Sequence, residues 1–396
     1  MARIVIAADT FPPHIGGSEQ QLLAMANALA PHHQVTVYTP ASIYGASVDR
    51  TFDESQPYSI HRSKLWARLF KHGGSRNPLV SRSARMLIIF VTYLKLADLT
   101  RKSDLLIVGH ALPLGALVAG LKKRNPQLKT MLITYGEEIA VYSRGLRMKS
   151  MLVNLLETVD TITATTAISG EALTNLARLK RPPDIIPPPV NADFAEIDPL
   201  LIAETRDQLG IADRRLMLSV CRIVPRKGID TAIHAFARIH QQYPDLVYLI
   251  LGFGPDQSRL AALANAAGLQ DKVRFLTVPD TKPYYHACEF FVMPNRTMPD
   301  GEREGFGIVF LEAGLARKPS IGGNSGGVPD AVLHEKTGLV VDPTDINAVA
   351  DAMQNFLDHP DKTHAMGLAA REYADNFTTA RISLRYVELV SQILNP

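Results

Sequence analysis

The sequence predicts an α/β protein of two doubly wound domains, each a mostly parallel sheet with helices on both faces, set opposite one another across a cleft. Three observations carry this. Short apolar runs alternate with amphipathic stretches along most of the chain. The alternation breaks once, at a proline-rich segment near the middle, and then restarts. A length of 396 residues also exceeds one ordinary core, at roughly 100–200 residues per domain.

In the first half, Arg3–Ala8, Gln34–Tyr38, Leu105–Gly109, Thr130–Thr134 and Thr161–Ile168 read as strands, with helices over Glu19–Leu29 and Gly115–Lys123. The run Ile185–Val190 holds three consecutive prolines, which neither continue a helix nor donate to a sheet. It reads as a linker, placing domains at 1–190 and 191–379. After it, Leu216–Cys221, Val247–Leu251, Val273–Leu276, Phe290–Met293 and Pro319–Gly322 read as strands, and Asp230–Gln242, Gln257–Ala267 and Ile308–Leu315 as helices. A last amphipathic stretch, Ala380–Leu394 within 380–396, is expected to pack back onto the first domain. Open α/β sheets bind ligands beyond the carboxyl ends of their strands, so the site residues should lie in the loops that follow them.

Composition excludes several classes. Hydrophobic residues make up 46% and charged residues 20%, which suits neither a disordered nor a collagenous chain. The longest apolar run, Met86–Leu94, is far short of a bilayer span. The N-terminus meets Asp9, Pro12 and Pro13 before a signal-peptide core can form, so a cytoplasmic location is expected. Cys221 and Cys288 sit in apolar runs without a second ligand at metal spacing and read as buried thiols.

Three motifs carry chemistry. The first strand ends in a loop, Asp9 to Glu19, whose Gly16 and Gly17 allow close backbone approach at a helix N-terminus that Ser18 is placed to cap. Arg222 and Lys227 follow the first strand of the second half and turn at Gly228, a place where two cations can neutralise a diphosphate leaving group. Glu304 and Glu312 stand eight positions apart around Gly305, Phe306, Gly307, Ile308 and Val309. One carboxylate can then reach a bound sugar while the other holds a ribose diol. A glycine loop, Gly322 to Gly327, follows the next strand and offers a second phosphate-facing turn.

With these motifs in that order, the chain resembles the retaining GT-B glycosyltransferases of family 4. Glu304–Glu312 matches their paired-glutamate signature, Arg222 to Gly228 their arginine–lysine–glycine element, and Phe11 to Gly17 their N-terminal loop. In motif it is most similar to the bacterial phosphatidylinositol-mannoside type of mannosyltransferase. The resemblance implies a hexose moved from a nucleotide diphosphate sugar to an acceptor hydroxyl, in cell-envelope glycolipid or polysaccharide synthesis, with a lipid-linked or saccharide acceptor. It implies acceptor binding in the first domain and donor binding in the second, through Gly16, Gly17, Arg222, Lys227, Thr277, Glu304–Val309 and Glu312. A sugar-nucleotide epimerase, or a sugar-nucleotide-binding module without catalysis, would share the architecture.

Tyr135 stands where the family places a reaction-centre histidine; it can donate a hydrogen bond there but does not titrate near neutral pH. Cys221 replaces the glycine before the arginine, and Pro187 to Asn191 departs from the usual segment. No Asp-x-Asp occurs, so no metal or other cofactor is expected and the cations take the diphosphate charge.

Charge is uneven. Residues 1–200 carry 22 Lys and Arg against 16 Asp and Glu. The segment His61–Lys102 holds ten cations (Arg62, Lys64, Arg68, Lys71, Arg76, Arg82, Arg85, Lys95, Arg101, Lys102) and one acid, Asp98. Solvated helix faces explain this; so does an amphipathic surface on anionic lipid, with Leu65, Trp66, Leu69 and Phe70 entering the interface at the inner face of the cytoplasmic membrane. No nucleic-acid-binding module accompanies the patch.

Overall fold

The alternating apolar runs become two parallel sheets. The computed structural model describes residues 1–14, 16–42, 44–69, 80–136, 138–143 and 145–395, without the side chains of Glu138 and Ala140. Contacts divide the chain into one unit of Met1–Pro189 with Ala380–Pro396, and a second of Val190–Thr379.

In the first unit the strands are β1 (Arg3–Ala7), β2 (Gln34–Pro40), β3 (Ser59–Ser63), β4 (Leu105–Val108), β5 (Lys129–Ile133), β6 (Thr161–Ala164) and β7 (Asp184–Ile185), in the order β3-β2-β1-β4-β5-β6-β7. The helices are α1 (Gly17–Leu29), α2 (Ala46–Glu54), α3 (Lys64–Ala67), α4 (Arg82–Thr100), α5 (Val118–Arg124), α6 (Glu138–Tyr142), α7 (Leu146–Thr158) and α8 (Ala167–Leu176). β1 and β4–β6 are buried apart from Arg3 and Lys129, as a sheet covered on both faces requires.

The second unit holds β8 (Leu216–Val220), β9 (Val247–Leu251), β10 (Val273–Leu276), β11 (Phe290–Met293), β12 (Ser320–Gly323) and β13 (Gly338–Val341), ordered β10-β9-β8-β11-β12-β13. Its helices are α9 (Pro199–Gln208), α10 (Ile229–Ile239), α11 (Gln257–Ala266), α12 (Lys282–Ala287), α13 (Ile308–Leu315), α14 (Val328–Ala331), α15 (Ile346–Asp358) and α16 (Pro360–Ala374). Both strand orders are Rossmann-like, with the reversal between β1 and β4 and between β8 and β11. The last helix, α17 (Thr379–Leu394), returns to the first unit: Ile382, Tyr386, Leu389, Val390 and Ile393 are buried in the core that contains Leu22 and Met25 of α1.

Some boundaries differ from the sequence reading. The strand expected over Thr161–Ile168 stops at Ala164 because Thr166 begins a capping box with Ser169 and starts α8. Strands β3, β7 and β13 were not read from the sequence, and Ile185, read as the start of the linker, pairs in β7; all three lie at sheet edges, where half-buried residues blur the apolar signal. Ser18 does not cap α1. The cap position is Gly16, and the Ser18 hydroxyl donates to Glu19 at 2.9 Å.

Candidate active site

The strand order of the second sheet reverses between β8 and β11, the place where an open α/β sheet takes its ligand. The loops after these two strands are stitched together. The Arg296 amide donates to the Arg226 carbonyl at 2.9 Å. Gly228, at φ 70°, sits so close to Pro294 that a β-carbon would stand 1.9 Å from the Pro294 carbonyl oxygen.

That stitching brings together residues 77 positions apart. One oxygen of Glu304, Oε2, accepts from Lys227 Nζ at 2.5 Å, Asn295 Nδ2 at 2.7 Å and Arg226 Nη1 at 2.8 Å. Arg226 also donates to Glu302 at 3.0 Å. Burial alone would raise the Glu304 pKa, but the charges of Lys227 and Arg226 outweigh it and hold the carboxyl below its ordinary value. Glu304 is therefore a fixed anion, and Lys227 keeps further N–H donors beyond the one it spends here.

The glycine loop after β12 buttresses this site and does not form a phosphate cradle. Gly326, at φ 58°, places a hypothetical β-carbon 2.0 Å from the Glu304 carbonyl oxygen, and the Gly327 amide donates to that same oxygen at 3.0 Å. The amides of Asn324, Ser325 and Val328 are likewise given to protein carbonyls. Such spent donors cannot serve an anion, which corrects the expected second phosphate-facing turn.

Glu312 rises from α13 into a different environment. Its Oε2 accepts from the Tyr285 hydroxyl at 2.7 Å, and Tyr285 is itself fully buried between Phe194 and Phe291. Burial pushes the Glu312 carboxyl up to about 7, against the lowering pull of the Tyr285 hydrogen bond. Between the two glutamates, Phe306 is a core side chain packed on Phe377, so only its backbone is open to a ligand. Gly307, at φ 92°, caps α13, which leaves the first-turn amides of Ile308 and Val309 without acceptors inside the helix.

Arg222 is exposed, with no ion pair among the described residues. Beside it the loop after β9 runs in close contact: Gly252 and Gly254 pack on the carbonyls of Cys221 and Ile223, and Phe253 projects between them, 69% exposed. Thr277, after β10, donates its hydroxyl to the Gly252 carbonyl at 3.1 Å. Both cysteines are buried free thiols, and burial pushes them up to about 11 for Cys221 and about 12 for Cys288.

The first unit has its own polar cluster at the β1/β4 reversal. The Asp9 amide faces His110 Nδ1 at 3.4 Å, and the His110 ring packs on Tyr135 with centroids 5.4 Å apart. Burial lifts Asp9 to about 7 and lowers His110 to about 4, the latter against the pull of Glu19. Asp9 Oδ1 is buried and has no hydrogen-bond partner among the described residues. Gly16 lies against the Glu19 carboxylate, with a hypothetical β-carbon 2.3 Å from Oε2, while Gly17 is exposed. The helix therefore carries its own anion beside its first turn.

Residues 202–373 match the family of glycosyl transferases group 1. The chain is 30% identical over 398 residues, 98% of each chain, to the GDP-mannose-dependent alpha-(1-6)-phosphatidylinositol monomannoside mannosyltransferase of Mycolicibacterium smegmatis. The chain belongs to the group 1 glycosyltransferases. Its fold is similar to sucrose-phosphate synthase from Thermosynechococcus elongatus, with TM-score 0.80 and 23% identity over all of both chains. It is also similar to Anabaena Alr3699/HepE in complex with UDP, with TM-score 0.78 and 19% identity over 98% of this chain and 100% of that one. The architecture is GT-B: two Rossmann-like α/β domains.

In this glycosyltransferase the structure joins Lys227 directly to Glu304 and sets Glu312 apart, tied to Tyr285. Gly16, Gly17 and Tyr135 belong to the first unit, and the remaining site candidates to the second. Four residues escaped the sequence reading: Arg226, Asn295, Tyr285 and His110. Arg226 was visible as a third cation beside Lys227. His110 was visible as a histidine ending a buried strand, although its meeting with Tyr135 depends on the pairing of β4 with β5. Glu137 and Ile15, within the Tyr135 and glycine-loop motifs, lie outside the described residues.

The basic stretch behaves differently from expectation. Trp66 is fully buried and Leu69 is buried, so neither can enter a lipid interface. Arg62 is enclosed as well, donating to Asp53 at 2.8–3.0 Å and pairing with Asp49 at 3.5 Å, on the wall of a cavity of about 330 Å³. Phe70, Lys71 and Arg76 lie outside the described residues. No helix among the described residues is long and apolar enough to cross a membrane, and no cluster of three metal-ligating side chains occurs among them.

Proposed function

We propose that the enzyme moves a mannosyl group from a nucleoside diphosphate sugar, GDP-mannose in the first instance, to a hydroxyl of a lipid-linked acceptor, with retention at the anomeric carbon. The observation that carries the donor half is Glu304 held by Lys227, Arg226 and Asn295 at the β8/β11 reversal. The full-length likeness to a phosphatidylinositol monomannoside mannosyltransferase supports the sugar and the acceptor class. HepE, similar in fold, was solved with UDP.

In this reading Arg222 and the remaining donors of Lys227 take the diphosphate, with the amides of Gly305, Gly307, Ile308 and Val309 beside it. Glu304 accepts from donor-sugar hydroxyls and Glu312 from the ribose diol; Gly16 and Gly17 let the donor approach the first unit. The bond from the anomeric carbon to the β-phosphate oxygen breaks as the acceptor oxygen bonds on the same face. The departing phosphate oxygen takes the acceptor proton, through an oxocarbenium-like transition state whose leaving-group charge the cations stabilise. Tyr135, at the position of the family's histidine, serves as a hydrogen-bond donor. No divalent metal or other cofactor is required.

The test is transfer with GDP-mannose, and with UDP- and ADP-sugars for comparison, to a phosphatidylinositol mannoside, with the new linkage assigned by NMR. An α-mannoside formed from GDP-mannose is expected. Inversion, isomerised sugar nucleotide, or no turnover with any donor would overturn the reading.

A further inference from the structure

Helix α4 has two apolar faces. One carries Ile88, Thr92, Leu96, Ala97 and Thr100, all buried, and packs in the core that holds Val5 of β1 and Leu106 of β4. On the opposite face Met86, Leu87 and Phe90 are 66%, 62% and 56% exposed, and Val91 and Leu94 are exposed beside them. The spacing i, i+1, i+4, i+5, i+8 makes these five one continuous ridge on a helix. Scattered single apolar side chains are ordinary on a protein surface, but a contiguous ridge marks a contact.

The charges around it are predominantly positive. Arg82, Lys95, Arg101 and Lys102 are exposed along or just beyond the helix, and Asp98 is the one acid that α4 carries. We propose that α4 is a membrane-docking element: its ridge enters the interfacial zone of an anionic bilayer while these cations meet the lipid phosphates. An anionic bilayer supplies both an apolar layer and negative charge, the two chemistries the face presents. A second copy of the chain, laid helix on helix, would set cations against cations. The helix lies along the surface, because its inner face is committed to the protein core.

The purpose of docking rests on the lipid-acceptor reading, but the evidence for it does not, and the test needs no turnover. Trp66, the sole tryptophan, is buried, so vesicle flotation replaces intrinsic fluorescence as the readout. The full-length protein is floated with phosphatidylcholine vesicles, with and without anionic phosphatidylglycerol, at low and high salt. Flotation is expected with anionic vesicles at low salt and should weaken at high salt. Leu87→Ser with Phe90→Ser, and separately Arg82→Gln with Lys95→Gln, should each cut the partition by about tenfold or more. Leu200→Ser, an exposed apolar change in the second unit, should not alter it. Unchanged melting and nucleotide binding establish that the variants are folded.

Wild-type protein that stays with the soluble fraction at low salt overturns the proposal, as do variants that float like the wild type. A wild-type dimer that the Leu87→Ser/Phe90→Ser change dissolves would make the ridge a self-association surface instead. Flotation without mannosyl transfer would sink the acceptor reading and leave docking standing; transfer without flotation does the reverse.

Discussion

The two glutamates of α13 and its leading loop carry the same side chain in opposite electrostatic states. Lys227 and Arg226 keep Glu304 ionised, whereas burial beside Tyr285 leaves Glu312 near its midpoint at neutral pH. If Glu312 holds the ribose diol, its carboxylate form binds better. Nucleoside diphosphate affinity should then rise by up to about tenfold between pH 6 and pH 8 as the group ionises. Titration calorimetry across that range reads it, and Glu312→Gln should flatten the profile while weakening the nucleotide throughout. The stability sign runs the other way: a carboxyl raised above its unfolded value stabilises most below the unfolded pKa of 4.5 and loses that contribution as pH rises through about 7. Glu304→Gln should spare free nucleotide binding and impair transfer, and equal loss of nucleotide affinity in both variants would contradict this division. Arg222→Ala and Lys227→Ala should each slow transfer by the equivalent of about 2–4 kcal/mol, the scale of one lost donor to a developing anion. Near-normal turnover in both would remove the diphosphate assignment.

At the scale of elements, the site depends on three loops that meet only in the folded sheet. The loop after β12 supports the Glu304 carbonyl through Gly326 and Gly327, and the β8 loop rests on Pro294 through Gly228. A methyl group at Gly326 meets that carbonyl and also strains a left-handed backbone, a cost of about 1–3 kcal/mol. Gly326→Ala should therefore lower the melting temperature modestly and depress kcat far more than nucleotide affinity, because it moves Glu304. A kinetic profile matching the wild type would show that the loop does not position the carboxylate. Central elements were readable in advance: β9, β11 and α13 occur where their apolar runs predicted, since a strand or helix covered by neighbours leaves an unbroken pattern. The edge strands β3 and β13 were not, because most of their residues are half-buried or exposed.

For the whole molecule, each unit has its own core, and the first is completed only by α17. A chain ending at Thr379 would remove five buried side chains, among them Tyr386, which accepts from Gln21 of α1. The loss is on the order of 10 kcal/mol, comparable with the stability of a domain. Calorimetry should then show the first unit's transition lost while the second unit still melts and binds nucleotide. Two intact transitions would mean that α17 is dispensable. The proposed cationic diphosphate site also predicts that transfer persists in excess EDTA. Complete inhibition that Mg²⁺ reverses would place the diphosphate on a metal.

The sequence by itself determined the fold class, the order of the central strands along the chain, and the membership of Arg222, Lys227, Glu304 and Glu312 in one set of motifs. Those are matters of local periodicity and of residue types at short spacing, both written in the chain. Only tertiary structure decided the rest, because strand order and side-chain burial come from packing between distant segments. Pairing of β8 with β11 made Glu304 the partner of Lys227 and Arg226, 77 and 78 positions away. Core packing took Trp66 and Leu69 inside and left the Met86–Leu94 ridge outside, although both runs are apolar residues among cations in the sequence.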